Sequence, residues 1–178
     1  MIFEVTPDEI AALGDTDLRS LIGKLTEQEA IRNGASSAGV TYGGHQNAKD
    51  GGIDVRADTG VTKDKSFIPR AQTGYQVKAE DFARAKITAE MRPKGKLRPS
   101  ISALAEQGGA YIIVSSGGSV SDTALKDRRR AMRDALEGDK NGSKLETYIY
   151  DHQRVTTCVN KTHGLSSWIK DRFWKTLS

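Results

Sequence analysis

Apolar residues between positions 17 and 32 recur at helical spacing. Leu18, Leu21, Ile22 and Leu25 fall on one face, Asp15, Thr16 or Asp17 can cap the start, and Gly34 ends the segment, which predicts an amphipathic helix. A glycine-rich polar connection follows over 40–52. The pattern then alternates, predicting a short strand over 53–57, a turn and loose loop over 58–72, and a second strand over 74–79, together an antiparallel hairpin with a long tip. A helical stretch over 81–91 is interrupted by Pro93 and Gly95, and a shorter helix over 97–107 stops at the Gly108–Gly109 pair. AYIIVSS, 110–116, is a continuous apolar run of the kind covered on both faces of a sheet. A helix from Ser121 or Asp122 to about Leu136, a strand over 145–151 and a helical tail from Val155, with Trp168, Ile169, Phe173 and Trp174 on its apolar face, complete the chain. The order helix, strand, strand, helix, strand, helix, strand, helix describes an α/β sandwich with a central mixed β-sheet flanked by helices.

Composition narrows the classes. The chain has 178 residues, enough for one domain over 1–178, and its aromatic-rich ending is also what an N-terminal fragment of a longer protein would show. With 37% hydrophobic and 28% charged residues it reads as globular, and no run nears the roughly 18 apolar residues of a membrane span. The first residues carry acids where a signal peptide carries lysines, so the reading is cytoplasmic, with no membrane partner. A single cysteine, Cys158, excludes an internal disulfide and a cysteine-cluster zinc site. The three histidines, His45, His152 and His163, are too scattered to support a metal site, which leaves oxygen ligands.

Charge adds a partner. The net charge is +4, and it is clustered: residues 84–98 hold six basic residues against one acid, and 126–133 hold five against one. Such patches favour a polyanion through summed attraction and counterion release. The first segment predicts phosphate contacts from Arg84, Lys86, Arg92, Lys94, Lys96 and Arg98, with Lys49 in the glycine-rich loop as a further contact. The second patch is equally well read as a solvated helix face.

The two strand-like runs carry polar groups that a plain sheet does not need. In IDVRA, alternation puts Ile53, Val55 and Ala57 on one face and Asp54 with Arg56 on the other. In YQVKAE it pairs Gln76 with Lys78. If the strands pair, Asp54, Gln76 and Lys78 meet on one face. A carboxylate and an amide oxygen suit a Mg²⁺-like ion that keeps several waters, and the lysine can orient an attacking water and offset charge on a phosphoryl oxygen. Glu29 falls on the stripe of Leu18, Ile22 and Leu25, where a carboxylate needs a partner such as a metal or Lys78. The alternative is that Glu29 reaches solvent at a frayed helix end.

GGID, a loop, then YQVK, behind an acid-bearing helix and ahead of a basic segment, resembles the PD-(D/E)xK nuclease superfamily in the variant with glutamine in place of the second acid. The likeness is greatest to Mrr-like restriction endonucleases and to nuclease domains at the N-termini of bacterial antiphage defence proteins, and it spans roughly residues 17 to 120. It implies a restriction-endonuclease-like sandwich and a Mg²⁺- or Mn²⁺-dependent endonuclease that cuts DNA with little sequence preference. Asp54, Gln76 and Glu29 would be metal ligands and Lys78 the water-orienting residue. It also implies an effector domain within a larger, self-assembling protein. The same phosphate grip and metal chemistry would serve RNA. Because a neutral glutamine binds a cation less tightly than a carboxylate, a catalytically weak nucleic-acid-binding or assembly module on the same fold is the alternative.

Overall fold

Thr6 and Glu9 form a reciprocal capping box, and Pro7 supplies the fixed first turn, so a short helix α1 (Pro7–Ala11) precedes the elements predicted from periodicity. This computed structural model describes residues 4–42, 51–60, 67–118, 120–162 and 164–177. Lys49 and His45, together with His163, lie outside the described residues.

Helix α2 (Asp15–Arg32) buries Leu18, Leu21, Ile22 and Leu25 as its periodicity requires. The connection read as polar loop then opens with a strand, β1 (Val40–Tyr42), too short to leave a periodic signal. Strands β2 (Val55–Asp58) and β3 (Gln72–Lys78) form the expected antiparallel pair, with Val55 facing Tyr75. Helices α3 (Arg84–Met91) and α4 (Pro99–Glu106) lead into β4 (Ala110–Ser115), which runs parallel to β3 and is buried at all its residues. Helix α5 (Asp122–Ala135), capped by Ser121, returns the chain to β5 (Glu146–Asp151), parallel to β4. The tail divides into α6 (His152–Asn160), capped by Asp151, and α7 (Leu165–Leu177).

The sheet order is β1-β2-β3-β4-β5, antiparallel among the first three and parallel among the last three. The fold is therefore α/β, a five-stranded mixed sheet flanked by helices. One face carries the residues of α1, α2, α6 and α7 packed on Val55, Ala57, Tyr75, Val77, Ile112 and Val114. The other carries those of α3, α4 and α5 packed on Tyr111 and Ile113. On the first face the Tyr75 and Tyr150 hydroxyls both donate to the Phe67 carbonyl, at 2.9 and 3.1 Å, and fasten the chain where it re-enters the sheet after the hairpin loop.

Two expectations change. Ile53 does not share a face with Val55: it packs with the α4 side, over Gly74 and against Leu104, because the chain bends at Asp54 and the strand begins only at Val55. On α7, Ile169 is buried and Trp168 half-buried, but Trp174 is 66% exposed, since five residues from Ile169 turns it well away from the packed stripe.

Candidate functional site

The bend at Asp54 decides what the site can do. Asp54 N–H donates to the carbonyl of Tyr75, the ladder partner of Val55, at 2.7 Å, so two residues oppose one on β3 as in a bulge. Beyond it, the Val77 N–H donates to Asp54 Oδ2 at 2.8 Å. The carboxylate thus takes the place of a strand carbonyl and is fixed in the gap where β2 leaves β3, beside the backbone that joins Gln76 to Lys78. Its other oxygen lies 3.2 Å from Nε of Arg19 on α2. The angle there does not make an aligned hydrogen bond, so the contact is an ion pair.

Gln76 and Lys78 point away from Val77 by strand alternation, toward the face of α3, α4 and α5. Gln76 is 5% exposed, and its Oε1 has no hydrogen-bond partner among the described residues. A buried acceptor left unfilled costs about 1–3 kcal/mol, so Oε1 is open to a water or a ligand. Lys78 is half-buried at the end of β3, beside Ser115 in the register. Asp54 thus meets β3 through the backbone of Val77, between Gln76 and Lys78, and its carboxylate reaches Arg19 of α2, whereas the Gln76 and Lys78 side chains leave the strand on the α3, α4 and α5 side.

A brace under the turn holds this junction. Gly51 has φ +55, in the left-handed region, and a Cβ on Gly52 would meet Arg98 Cδ at 2.5 Å, so the GG of GGID lets the turn lie flat on Arg98. Arg98 Nε donates to the Glu90 carbonyl at 2.6 Å and its Nη2 contacts Glu90 Oε1 at 3.2 Å. The Tyr111 hydroxyl donates to the Gly52 carbonyl at 3.2 Å. Burial, with the Glu90 charge adding to it, pushes the Tyr111 hydroxyl well above its ordinary pKa, keeping it protonated and able to donate.

Glu29 is not part of this junction. The start of α2 is what faces the site: Asp15 Oδ1 accepts the Ala79 N–H at 2.7 Å just past Lys78, and Arg19 reaches Asp54 one turn later. Ten residues beyond Arg19, about 15 Å along the helix, Glu29 pairs with Arg32 at 2.8 Å and lines a different cavity of about 500 Å³ with Asp151, Arg154, Cys158 and Lys161. Burial raises the Cys158 thiol's pKa in that cavity, which makes it a poor nucleophile.

The basic segment also differs from expectation. Arg84 bridges Asp127 and Asp134 of α5, and Lys86 pairs with Glu80. Arg92 donates to the carbonyls of Ala135, Glu137 and Gly95, and Arg98 is the brace just described. Lys94 and Lys96, around a turn in which Lys94 has φ +56, stand exposed as phosphate contacts would require, and Lys86 is exposed too but paired with Glu80. The segment's charge mainly ties helices to one another.

Arg19, Asp15, Glu90 and Tyr111 escaped the sequence reading because each meets the site across long stretches of chain. The only local trace was the acid at the start of α2, which reads equally well as a helix cap. Among the described residues no three His, Cys, Asp or Glu side chains converge as a metal cluster. Compared with protein-family models, curated proteins and solved structures, the chain finds no match, so its chemistry rests on this geometry.

Proposed function

We propose that the chain is a metal-dependent endonuclease of the PD-(D/E)xK type, built on a restriction-endonuclease-like sandwich and hydrolysing DNA phosphodiester bonds with little sequence preference. The observation that carries the reading is the Asp54 carboxylate locked onto the amide of Val77, between Gln76, whose buried Oε1 is unfilled, and Lys78. Three antiparallel strands behind a helix, then a parallel strand, with the acid opening the second strand and Gln-x-Lys on the third, support it.

Asp54 and Gln76 would hold one Mg²⁺ or Mn²⁺, which when bound supplies Lewis-acid stabilisation of the phosphoryl oxygens. Lys78 orients the attacking water and donates to a non-bridging oxygen as charge builds there. Water adds to phosphorus and one P–O ester bond breaks. Glu29 has no part in this arrangement, so a single ion is the simpler assignment. Service as the effector of a larger, self-assembling antiphage protein is carried by the resemblance.

The Arg19 contact favours a second reading, a binding or assembly module with weak catalysis, because a guanidinium already occupies one oxygen of Asp54. Nicking of supercoiled plasmid in Mg²⁺ or Mn²⁺ separates the two. The nuclease reading expects cutting that is lost in Asp54→Ala and Lys78→Ala and strengthened in Gln76→Glu. Cutting indifferent to Asp54 and Lys78 would overturn it, and DNA binding with no metal-dependent cutting selects the module. Unlabelled RNA as competitor decides between the two sugars.

A further inference from the structure

Helix α5 presents three stripes at about 100° per residue. Arg128, Ala131, Met132 and Ala135 are buried. On one flank Asp127 and Asp134 are held by Arg84 of α3, at 3.2 and 3.0 Å, and Arg128 within the buried stripe pairs with Asp81. Opposite the buried stripe, at i, i+3, i+4 and i+7, stand Lys126, Arg129, Arg130 and Arg133, all exposed. These four residues alone line a groove of about 320 Å³.

Like charges at this spacing work against a helix, and the fold does little to offset them. Lys126 pairs with Asp122 at 2.7 Å, where both are largely exposed. Arg129 lies 5.9 Å over the Tyr148 ring. Among the described residues no carboxylate forms an ion pair with Arg129, Arg130 or Arg133. The other acids of the helix are turned to Arg84, so the outer stripe is cationic along its length.

We propose that this outer face of α5 binds the sugar–phosphate backbone of nucleic acid, in the role the sequence suggested for residues 84–98. Residues four apart on a helix are separated by about 6 Å and the stripe extends about 10 Å. Duplex DNA offers one negative charge per about 1.7 Å of axis, so the row can meet several phosphates together. The guanidinium fork suits phosphate oxygens geometrically. A membrane surface fits less well: interfacial helices set Trp, Phe or Leu beside their basic face, whereas the apolar residues of α5 are packed into the core. The inference rests on the nuclease reading only for the choice of polyanion.

The test is fluorescence anisotropy in EDTA, where no cutting occurs, with a labelled 24-base-pair duplex and with single-stranded DNA and RNA of the same sequence. The probes are the wild type, the triple variant Arg129→Gln/Arg130→Gln/Arg133→Gln, and Lys94→Gln/Lys96→Gln as a comparison. The triple variant is expected to bind at least about tenfold more weakly. Its slope of log affinity against log salt should be shallower by about 2.7 for duplex, from about 0.9 per lost contact, or by about 2 if the preferred ligand is single-stranded. Thermal melting checks that the variant is folded, and Arg130→Lys, which keeps the charge, should retain the slope. An unchanged slope in the folded triple variant overturns the proposal, as does wild-type binding to phosphatidylserine vesicles without binding to any nucleic acid. Asp54-dependent plasmid cutting with an unchanged slope removes this surface and leaves the nuclease reading standing. Loss of the slope without metal-dependent cutting does the reverse.

Discussion

Arg19 Nε stands 3.2 Å from Asp54 Oδ1, so the acid that opens β2 is shared between the β3 backbone and a cation on α2. On the nuclease reading a divalent ion must compete with this guanidinium for the same oxygen. Arg19 is 40% exposed along its side chain, which limits the pair to about 1 kcal/mol or less. Removing it in Arg19→Gln should therefore tighten Mn²⁺ binding by up to about fivefold. Titration calorimetry on wild type, Arg19→Gln and Asp54→Ala reads this directly. Equal affinities in the first two would show that Arg19 does not compete with the ion.

Arg98 should behave as a structural residue rather than a phosphate contact. Its side chain and that of Glu90 are 18% and 16% exposed, and Arg98→Ala would leave the Glu90 carboxylate half-buried without its guanidinium while removing the floor under Gly52. A loss of about 2–3 kcal/mol in urea unfolding is expected. The salt slope of DNA binding, in contrast, should be unchanged. A variant as stable as wild type with a shallower slope would return Arg98 to the grip first assigned to it.

The sequence made legible what local periodicity writes. The stripe of α2, the continuous apolar run of β4 and the alternation of β3 each state their element and its burial in a few neighbouring residues. The pairing of the strand that follows Asp54 with the strand that carries Gln76 and Lys78 was legible for the same reason. Ile53 misled because alternation assumes an unbroken strand, and the bend at Asp54 reverses the faces. Glu29 was placed on the correct face of α2 but at the wrong end, since periodicity gives the angle around a helix and not which turn meets the sheet. The partners of Arg19 and Arg98 come from distant segments, and no window of sequence contains both halves of either contact.

Gly23 gives a test in which two effects oppose one another. In the middle of a helix, Gly→Ala normally stabilises by about 1 kcal/mol. Here the Tyr42 ring lies directly on the Gly23 Cα, in the space a Cβ would need, and the Tyr42 hydroxyl donates to Glu27 at 3.1 Å. Burial, together with the Glu27 charge, raises the Tyr42 pKa to about 12, so the hydroxyl stays a donor at any physiological pH. Displacing the ring forfeits that contact and overpacks the α2–β1 junction, at about 1–3 kcal/mol. Gly23→Ala should be net destabilising by about 1 kcal/mol in chemical denaturation, the difference of the two effects. A stabilised variant would mean that β1 yields freely to α2.

Glu9 supplies the pH dependence. It accepts the Thr6 N–H in the capping box and pairs with Lys170 at 2.7 Å, tying α1 to α7. Burial opposes its ionisation, but the Lys170 ammonium and the Thr6 hydrogen bonds outweigh it, and the carboxyl is held below its ordinary value. A depressed carboxyl pKa stabilises the fold at pH above the unfolded value of about 4.3, and that contribution is lost as pH falls through the folded value. Glu9→Gln removes the charge at every pH. It should cost about 1–2 kcal/mol at pH 7, and the gap between the urea midpoints of wild type and variant should close as the pH is lowered toward 3. A gap that stays constant across that range would show that the Glu9 charge contributes nothing, and that the capping geometry, which a glutamine can reproduce in part, accounts for the junction of the two helices.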